Sequence, residues 1–223
     1  MTSSKSPFAP SEYTAALIQG VRNRAGFIQN RQALEMGTGS GVVMAALVRA
    51  GASQVTGIEL EARGVADTEA LLQTLQLADR AQLVQGDMWQ PCAGRQFDFI
   101  ACNLPQFPVE HPMADGRLPT WSDGGPNGRH QVDRFLAQLA AHLRPGGMAL
   151  MTHNAFIGVA PTWAQLAETG LQGRIDQTIT VPLPQAKLEG LNPAILQRYE
   201  GQGIERMGPY TFVDFHLIEI THP

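Results

Sequence analysis

Residues 32–41 read Gln32-Ala33-Leu34-Glu35-Met36-Gly37-Thr38-Gly39-Ser40-Gly41, residues 42–51 carry Val42, Val43, Met44, Leu47 and Val48 and close on Gly51, and residues 54–59 read Gln54-Val55-Thr56-Gly57-Ile58-Glu59. A short apolar run that ends in alternating glycines is a strand entering a tight turn, because glycine alone reaches positive φ without steric cost. The following apolar stretch is long enough for two helical turns and stops at a glycine, and the next run is again rich in β-branched residues. Strand, turn, helix and strand in so few residues predict a right-handed crossover and a parallel sheet.

Working outward, the alternation continues. Residues 62–77 predict a helix with Leu71, Leu72 and Leu75 on its buried side, followed by a strand at 82–85. Residues 97–102 are nearly all apolar, the pattern of a strand covered on both faces. A helix at 129–143, a strand at 148–152, a helix at 163–169 and strands at 176–181 and 212–220 follow. Ahead of the first strand, Ser11 is placed to cap a helix at 12–24 whose apolar positions are Ala15, Ala16, Leu17, Ile18 and Val21. The expectation is an α/β protein with a doubly wound sheet of seven strands, mostly parallel, whose last strand enters antiparallel at the edge because no clear helix precedes it.

With 223 residues, the chain predicts one domain, 1–223. Two irregular stretches interrupt it. Residues 104–128 hold five prolines and four glycines, and a loop of that length in a compact domain predicts an active-site rim. Residues 182–209, with Pro182, Pro184, Pro193 and Pro209 and a short helix at 194–200, predict a substrate-side insertion or lid.

Composition narrows the function. A net charge of -4 argues against a broad phosphate-binding surface, and Arg117, Arg129, Arg134 and Arg144 are too scattered to form a basic strip. No apolar run reaches the ~20 residues of a membrane-spanning helix. The polar first ten residues lack the apolar core of a secretory signal, so a cytoplasmic location is expected. Cys92 and Cys102 match no zinc or disulfide spacing, no His pair has ligand spacing, and no metal is expected. A small-molecule or protein substrate is favoured over nucleic acid.

In open α/β sheets ligands bind beyond the carboxyl ends of the strands. Those ends are polar here: Glu35 with Gly37, then Glu59, Asp87, Asn103, and His153 with Asn154. The dinucleotide fingerprint fails because Val42 stands where its last glycine belongs, and no Lys follows to make a phosphate-binding P-loop. An acidic residue two before the first of several alternate glycines resembles the first motif of the class I S-adenosylmethionine-dependent methyltransferases, with their Rossmann-like fold. Four stations agree in order: the glycine turn, Glu59 some 20 residues on, Asp87 in Gly86-Asp87-Met88-Trp89, and Asn103-Leu104-Pro105-Gln106 in the place of an Asn/Asp-Pro-Pro-aromatic motif. Asp123-Gly124-Gly125-Pro126-Asn127-Gly128 and Leu143-Arg144-Pro145-Gly146-Gly147 extend the likeness to the release-factor glutamine methyltransferases and their RNA-guanine relatives.

The resemblance implies S-adenosylmethionine as cofactor, held by Glu35, Gly37, Thr38, Gly39, Gly41, Glu59, Leu60, Asp87, Met88, Trp89 and Asn103. Glu59 would bind the ribose hydroxyls and Asp87 the adenine amino group. The acceptor would be a nitrogen, with an oxygen or sulfur ranked behind it, oriented by the Asn103 side-chain oxygen with the Leu104 carbonyl and Pro105 beside it. His153 is the candidate base, with His111 and His130 behind it, and the alternative for His153 is a histidine bonded within the strand end. Leu104 and Gln106 depart from the motif, and Phe107, one residue late, is a candidate for the missing ring, as Trp121 is for a binding aromatic. The competing readings are a nucleic-acid base methyltransferase, a nucleotide-dependent oxidoreductase and a non-catalytic cofactor-binding subunit.

Overall fold

The computed structural model describes residues 9–108 and 123–223. His111, Arg117 and Trp121 therefore lie outside the described residues. The chain opens with α1 (Glu12–Asn23) and α2 (Ala25–Ile28), then β1 (Gln32–Met36), α3 (Val42–Arg49), β2 (Gln54–Glu59), α4 (Ala62–Thr74), β3 (Ala81–Gln85) and β4 (Phe97–Cys102). It continues with α5 (His130–His142), β5 (Leu143–Asn154), α6 (Val159–Glu168), β6 (Gln172–Leu183), α7 (Gln185–Glu189), α8 (Pro193–Tyr199), β7 (Ile204–Met207) and β8 (Tyr210–Thr221).

The sheet runs β3-β2-β1-β4-β5-β8-β6. Strands β1 to β5 are mutually parallel, whereas β8 pairs antiparallel with β5 on one side and β6 on the other. The antiparallel strand expected near the edge thus lies one place in, with β6 outermost. An eighth strand, β7, absent from the seven expected, folds back on the start of β8.

Period-two alternation sorts the core into two layers. Along β4, Phe99 and Ala101 pack with α1 and α3 through Leu17, Val21, Leu47 and Val48, while Ile100 and Cys102 face Phe135, Leu136 and Leu139 of α5. Both layers are closed to water, and each large apolar side chain so buried contributes about 1.5–3 kcal/mol. Gly20 permits the approach of α1: a Cβ there would lie 2.6 Å from Leu150 Cδ2 and from Leu217 Cδ2. Short turns then leave the carboxyl ends of β1 to β5 along one rim, where a cleft opens.

Candidate active site

The cleft encloses about 1190 Å³ out to its open mouth and is lined from every parallel strand end. Gly37, Gly39, Glu59, Leu60, Asp87, Met88, Asn103, Leu104 and Pro105, all singled out in the sequence, line it. Glu35, Thr38, Gly41, Trp89 and His153 do not, and each has a specific place elsewhere.

The glycine turn is built from behind. Gly37, Gly39 and Gly41 have φ of 77°, 51° and 77°, which a side-chain-bearing residue would hold only under strain. Thr68, fully buried on α4, approaches the Thr38 hydroxyl at 3.0 Å and donates to the Gly39 carbonyl at 3.3 Å. A Cβ on Gly41 would fall 2.8 Å from Thr68 Cγ2. Thr38 and Gly41 thus shape the turn against α4 instead of facing the cleft.

Glu59 closes β2. Its Oε2 accepts from the Gly39 N–H at 2.8 Å and its Oε1 from the Glu61 N–H at 3.0 Å. The carboxylate is therefore fixed in place, yet each oxygen keeps a lone pair for a ligand hydroxyl. Gly64 makes the room: a Cβ there would sit 2.8 Å from Glu59 Cγ. Gly64→Ala is expected to favour the helix by roughly 0.5–1 kcal/mol through propensity while displacing Glu59. Isothermal titration should then show cofactor affinity falling about tenfold.

Glu35 lies behind the turn, almost fully buried, with a backbone hydrogen bond from Met44 near the start of α3. Its Oε2 has no hydrogen-bond partner among the described residues, and burial pushes its carboxyl well above the ordinary range, with the charge of Glu59 adding to the rise. It supports the helix entry from the strand side, since the cap residue, Gly41, has no side chain.

Asp87 faces the cleft with its Oδ2 bound to Arg134 at 2.7 Å. Met88 beside it holds a φ of 51°, an unfavourable conformation for a long side chain, at the cleft wall. Trp89 turns into the core, where its Nε1 donates to the Phe135 carbonyl at 3.0 Å and its ring stacks on His142.

At the other end of the cleft stand residues 103–107. Asn103 is half-buried, and its Oδ1 accepts from the Thr152 hydroxyl at 2.6 Å. Gln106 is buried, and its amide is consumed: Nε2 donates to the Thr152 carbonyl at 2.8 Å and more weakly to Leu104 O at 3.3 Å, and Oε1 accepts from Asn154 N at 2.8 Å. The residue that replaces the motif's ring is thus a strut between the β4 loop and β5. Phe107 reaches the cleft wall with Lys187 of α7 over its ring at 5.1 Å. The segment 123–128 braces this loop from outside, since a Cβ on Gly124 would lie 2.8 Å from Gln106 Cα and one on Gly128 2.6 Å from Gln106 O.

His153 points to the opposite face of β5. It is fully buried, with Nε2 2.8 Å from the Thr162 hydroxyl. Arg129 donates twice to that same oxygen, so the Thr162 proton goes to Nε2 and the histidine is neutral. Burial lowers its pKa to about 3, with the positive charge of Arg129 adding to the fall. The expectation of a base at His153 gives way to the alternative of a structural histidine; His130, exposed at the start of α5, does not line the cleft either. Because the unfolded chain protonates this histidine near pH 6.5 and the folded one only near 3, lowering pH through that window draws the chain toward unfolding. His153→Gln is expected to flatten this acid-side loss in urea titrations run between about pH 7 and about pH 4, with the pH profile of turnover unchanged.

Asn154 is marked in the sequence only as a polar strand end, and Tyr13 is not singled out at all. Tyr13 lines the cleft, donates to Asn154 Oδ1 at 2.7 Å and stacks on Phe215 at 4.1 Å. An aromatic on the buried side of an amphipathic first helix was the only signal in the sequence.

The family described as "Methyltransferase domain" matches residues 33–115, the stretch from the first strand through the Asn103 loop. Residues 33–115 thus carry a methyltransferase domain. A Methanocaldococcus jannaschii protein provisionally named a protein N5-glutamine methyltransferase is 26% identical to this methyltransferase over 80% of the chain and 87% of that protein. A release factor glutamine methyltransferase of Gloeobacter violaceus is 30% identical over 60% of the chain, which spans only 48% of that protein. The YcgJ protein of Bacillus subtilis shares the fold of this methyltransferase with a TM-score of 0.66 at 14% identity, covering 94% of this chain and 99% of that one. No helix among the described residues is long and apolar enough to cross a membrane.

Proposed function

We propose that this methyltransferase takes S-adenosylmethionine as cofactor and transfers its methyl group to a side-chain amide nitrogen of a protein, as the names of its relatives state for them. The observation that carries the reading is the single cleft in which Gly37, Gly39, Glu59 and Asp87 stand at one end and Asn103 at the other. The residues fit the cofactor: bare glycine backbone for its amino-acid part, two open lone pairs on Glu59 for the ribose hydroxyls, and Asp87 with Met88 for the base. The cofactor brings a methyl group already activated on a sulfonium, so the protein's task is alignment and exclusion of water.

Asn103 does the aligning. Its Oδ1 accepts one N–H of the acceptor, which turns the nitrogen lone pair toward the methyl group and raises its electron density. As the C–N bond forms and the S–C bond breaks, the electron pair of the broken bond stays with sulfur as a neutral thioether, and the nitrogen gives up one proton to water at the cleft's open mouth. Two observations favour a side-chain amide over a nucleobase. Gln106 offers no ring to stack on a base. Arg129, Arg134 and Arg144 each bind an acid, Asp133, Asp87 and Asp98, so none contributes a free charge to a phosphate track. The segment 182–209 supports a role at the mouth, because Lys187 lines the cleft and Asn192 N donates to Pro108 O at 3.1 Å.

The test is transfer from methyl-labelled S-adenosylmethionine to a purified peptide chain release factor and, in parallel, to a cell extract separated into protein, nucleic acid and small molecules. Label in protein, at glutamine after digestion, is the expected result. Label confined to RNA or to small molecules would overturn the acceptor assignment.

A further inference from the structure

We propose that Thr152 is a positioning residue for the transfer, anchoring the Asn103 side chain in the rotamer that presents its amide oxygen to the acceptor nitrogen. The inference deepens the proposed function and rests on it.

An asparagine amide has two nearly isosteric ends, one accepting and one donating. On a loop at a strand end, rotation by half a turn would offer an N–H where the acceptor needs an oxygen. Parallel pairing of β4 with β5 sets Cys102 opposite Met151, so the next residues, Asn103 and Thr152, meet side by side. Thr152 is fully buried, and its hydroxyl donates to Asn103 Oδ1 at 2.6 Å. A hydroxyl can meet either end of an amide, so the bond to Oδ1 anchors the side chain beside β5 and holds the rotamer that faces the cleft. The hydroxyl takes one lone pair of Oδ1 and leaves the other for one acceptor N–H.

The same residue controls the far end of the tetrapeptide, because its carbonyl accepts from Gln106 Nε2 at 2.8 Å. Asn154 completes the clamp with its N–H on Gln106 Oε1. The strand end therefore fixes the first residue of Asn103-Leu104-Pro105-Gln106 by a side chain and the last by backbone. Only the hydroxyl bond depends on the identity of residue 152, so only that bond is open to substitution.

Thr152→Val removes the hydroxyl at constant shape, and Thr152→Ser keeps it. With a release factor as acceptor, Thr152→Val is expected to lower kcat about tenfold while affinity for S-adenosylhomocysteine stays unchanged, and Thr152→Ser is expected to recover most of the rate. Asparagine-selective 15N labelling gives a second readout without turnover: the Asn103 side-chain NH2 resonances should shift and broaden in Thr152→Val and return in Thr152→Ser. Unchanged kcat in Thr152→Val, or Thr152→Ser as impaired as Thr152→Val, would overturn the proposal. If the parent protein does not methylate release factor, the acceptor assignment fails on its own. The resonances then decide the role of Thr152, and an unmoved Asn103 signal in Thr152→Val overturns it.

Discussion

Replacing Asn103 by alanine is expected to lower kcat by about 10²- to 10³-fold, the cost typical of deleting one preorganised polar contact at a reacting centre. The affinity for S-adenosylhomocysteine is expected to stay within about threefold, a difference below 1 kcal/mol. The separation follows from geometry. Asn103 stands past the end of β4 beside Leu104 and Pro105, while the carboxylates of Glu59 and Asp87 close different strands of the same rim. Alanine removes the acceptor oxygen and leaves the Thr152 hydroxyl without its partner, which costs stability on the order of 1–3 kcal/mol. Rapid-quench kinetics with release factor, alongside calorimetric titration of the cofactor product, separate the two quantities. A loss of affinity as large as the loss of rate would transfer Asn103 from acceptor alignment to cofactor binding.

The second large effect is expected at Glu59. Glu59→Ala should weaken cofactor binding by about 10²-fold, because a buried carboxylate that is already held by protein donors loses nothing on closing over a ligand hydroxyl. Its two backbone donors, Gly39 N and Glu61 N, would lose their acceptor. The glycine turn and the start of α4 would then both loosen, so the thermal midpoint should fall together with the affinity. Glu59→Gln retains one acceptor oxygen and is expected to fall between, about tenfold weaker than the parent. Equal binding by Glu59→Ala and the parent protein would remove the ribose assignment.

Much of this site could be read from the chain. The strands β1, β2 and β4 start and stop where the apolar runs and turn glycines say, because each is a short parallel strand buried by its own neighbours in sequence. The polar strand ends followed from the same boundaries. The strand β5 was harder: Arg144-Pro145-Gly146-Gly147 looks like a turn, yet it is drawn into the strand, with Leu143 paired to Phe97 of β4. The edge strand β6 owes its length to β8, more than thirty positions away from its start, and no local pattern reports that pairing. By contrast, β7 pairs with β8 across the two-residue turn Gly208-Pro209, a local signal that the reading of 182–209 as an insertion passes over. Side-chain roles failed for the same reason. Whether His153 is a base or a brace depends on Thr162 and Arg129, and what Gln106 does in place of a ring depends on Thr152 and Asn154. Those partners come from other elements, so residue type alone left both roles undetermined.

The insertion of β8 between β5 and β6 sets the order in which this enzyme can be made. During synthesis the first half of the sheet, from β1 to β4, can assemble as it leaves the ribosome, but β5 has a free side until β8 arrives. The residues that hold the Asn103 loop are those affected: Thr152 and Asn154 pair with Leu217 and Phe215, and the ring of Phe215 also receives Tyr13 of the first helix. A nascent chain halted before Tyr210 would therefore carry a finished glycine turn and an unfinished acceptor end. Cofactor capture would precede competence for transfer, and the last dozen residues of strand to emerge would switch the enzyme on.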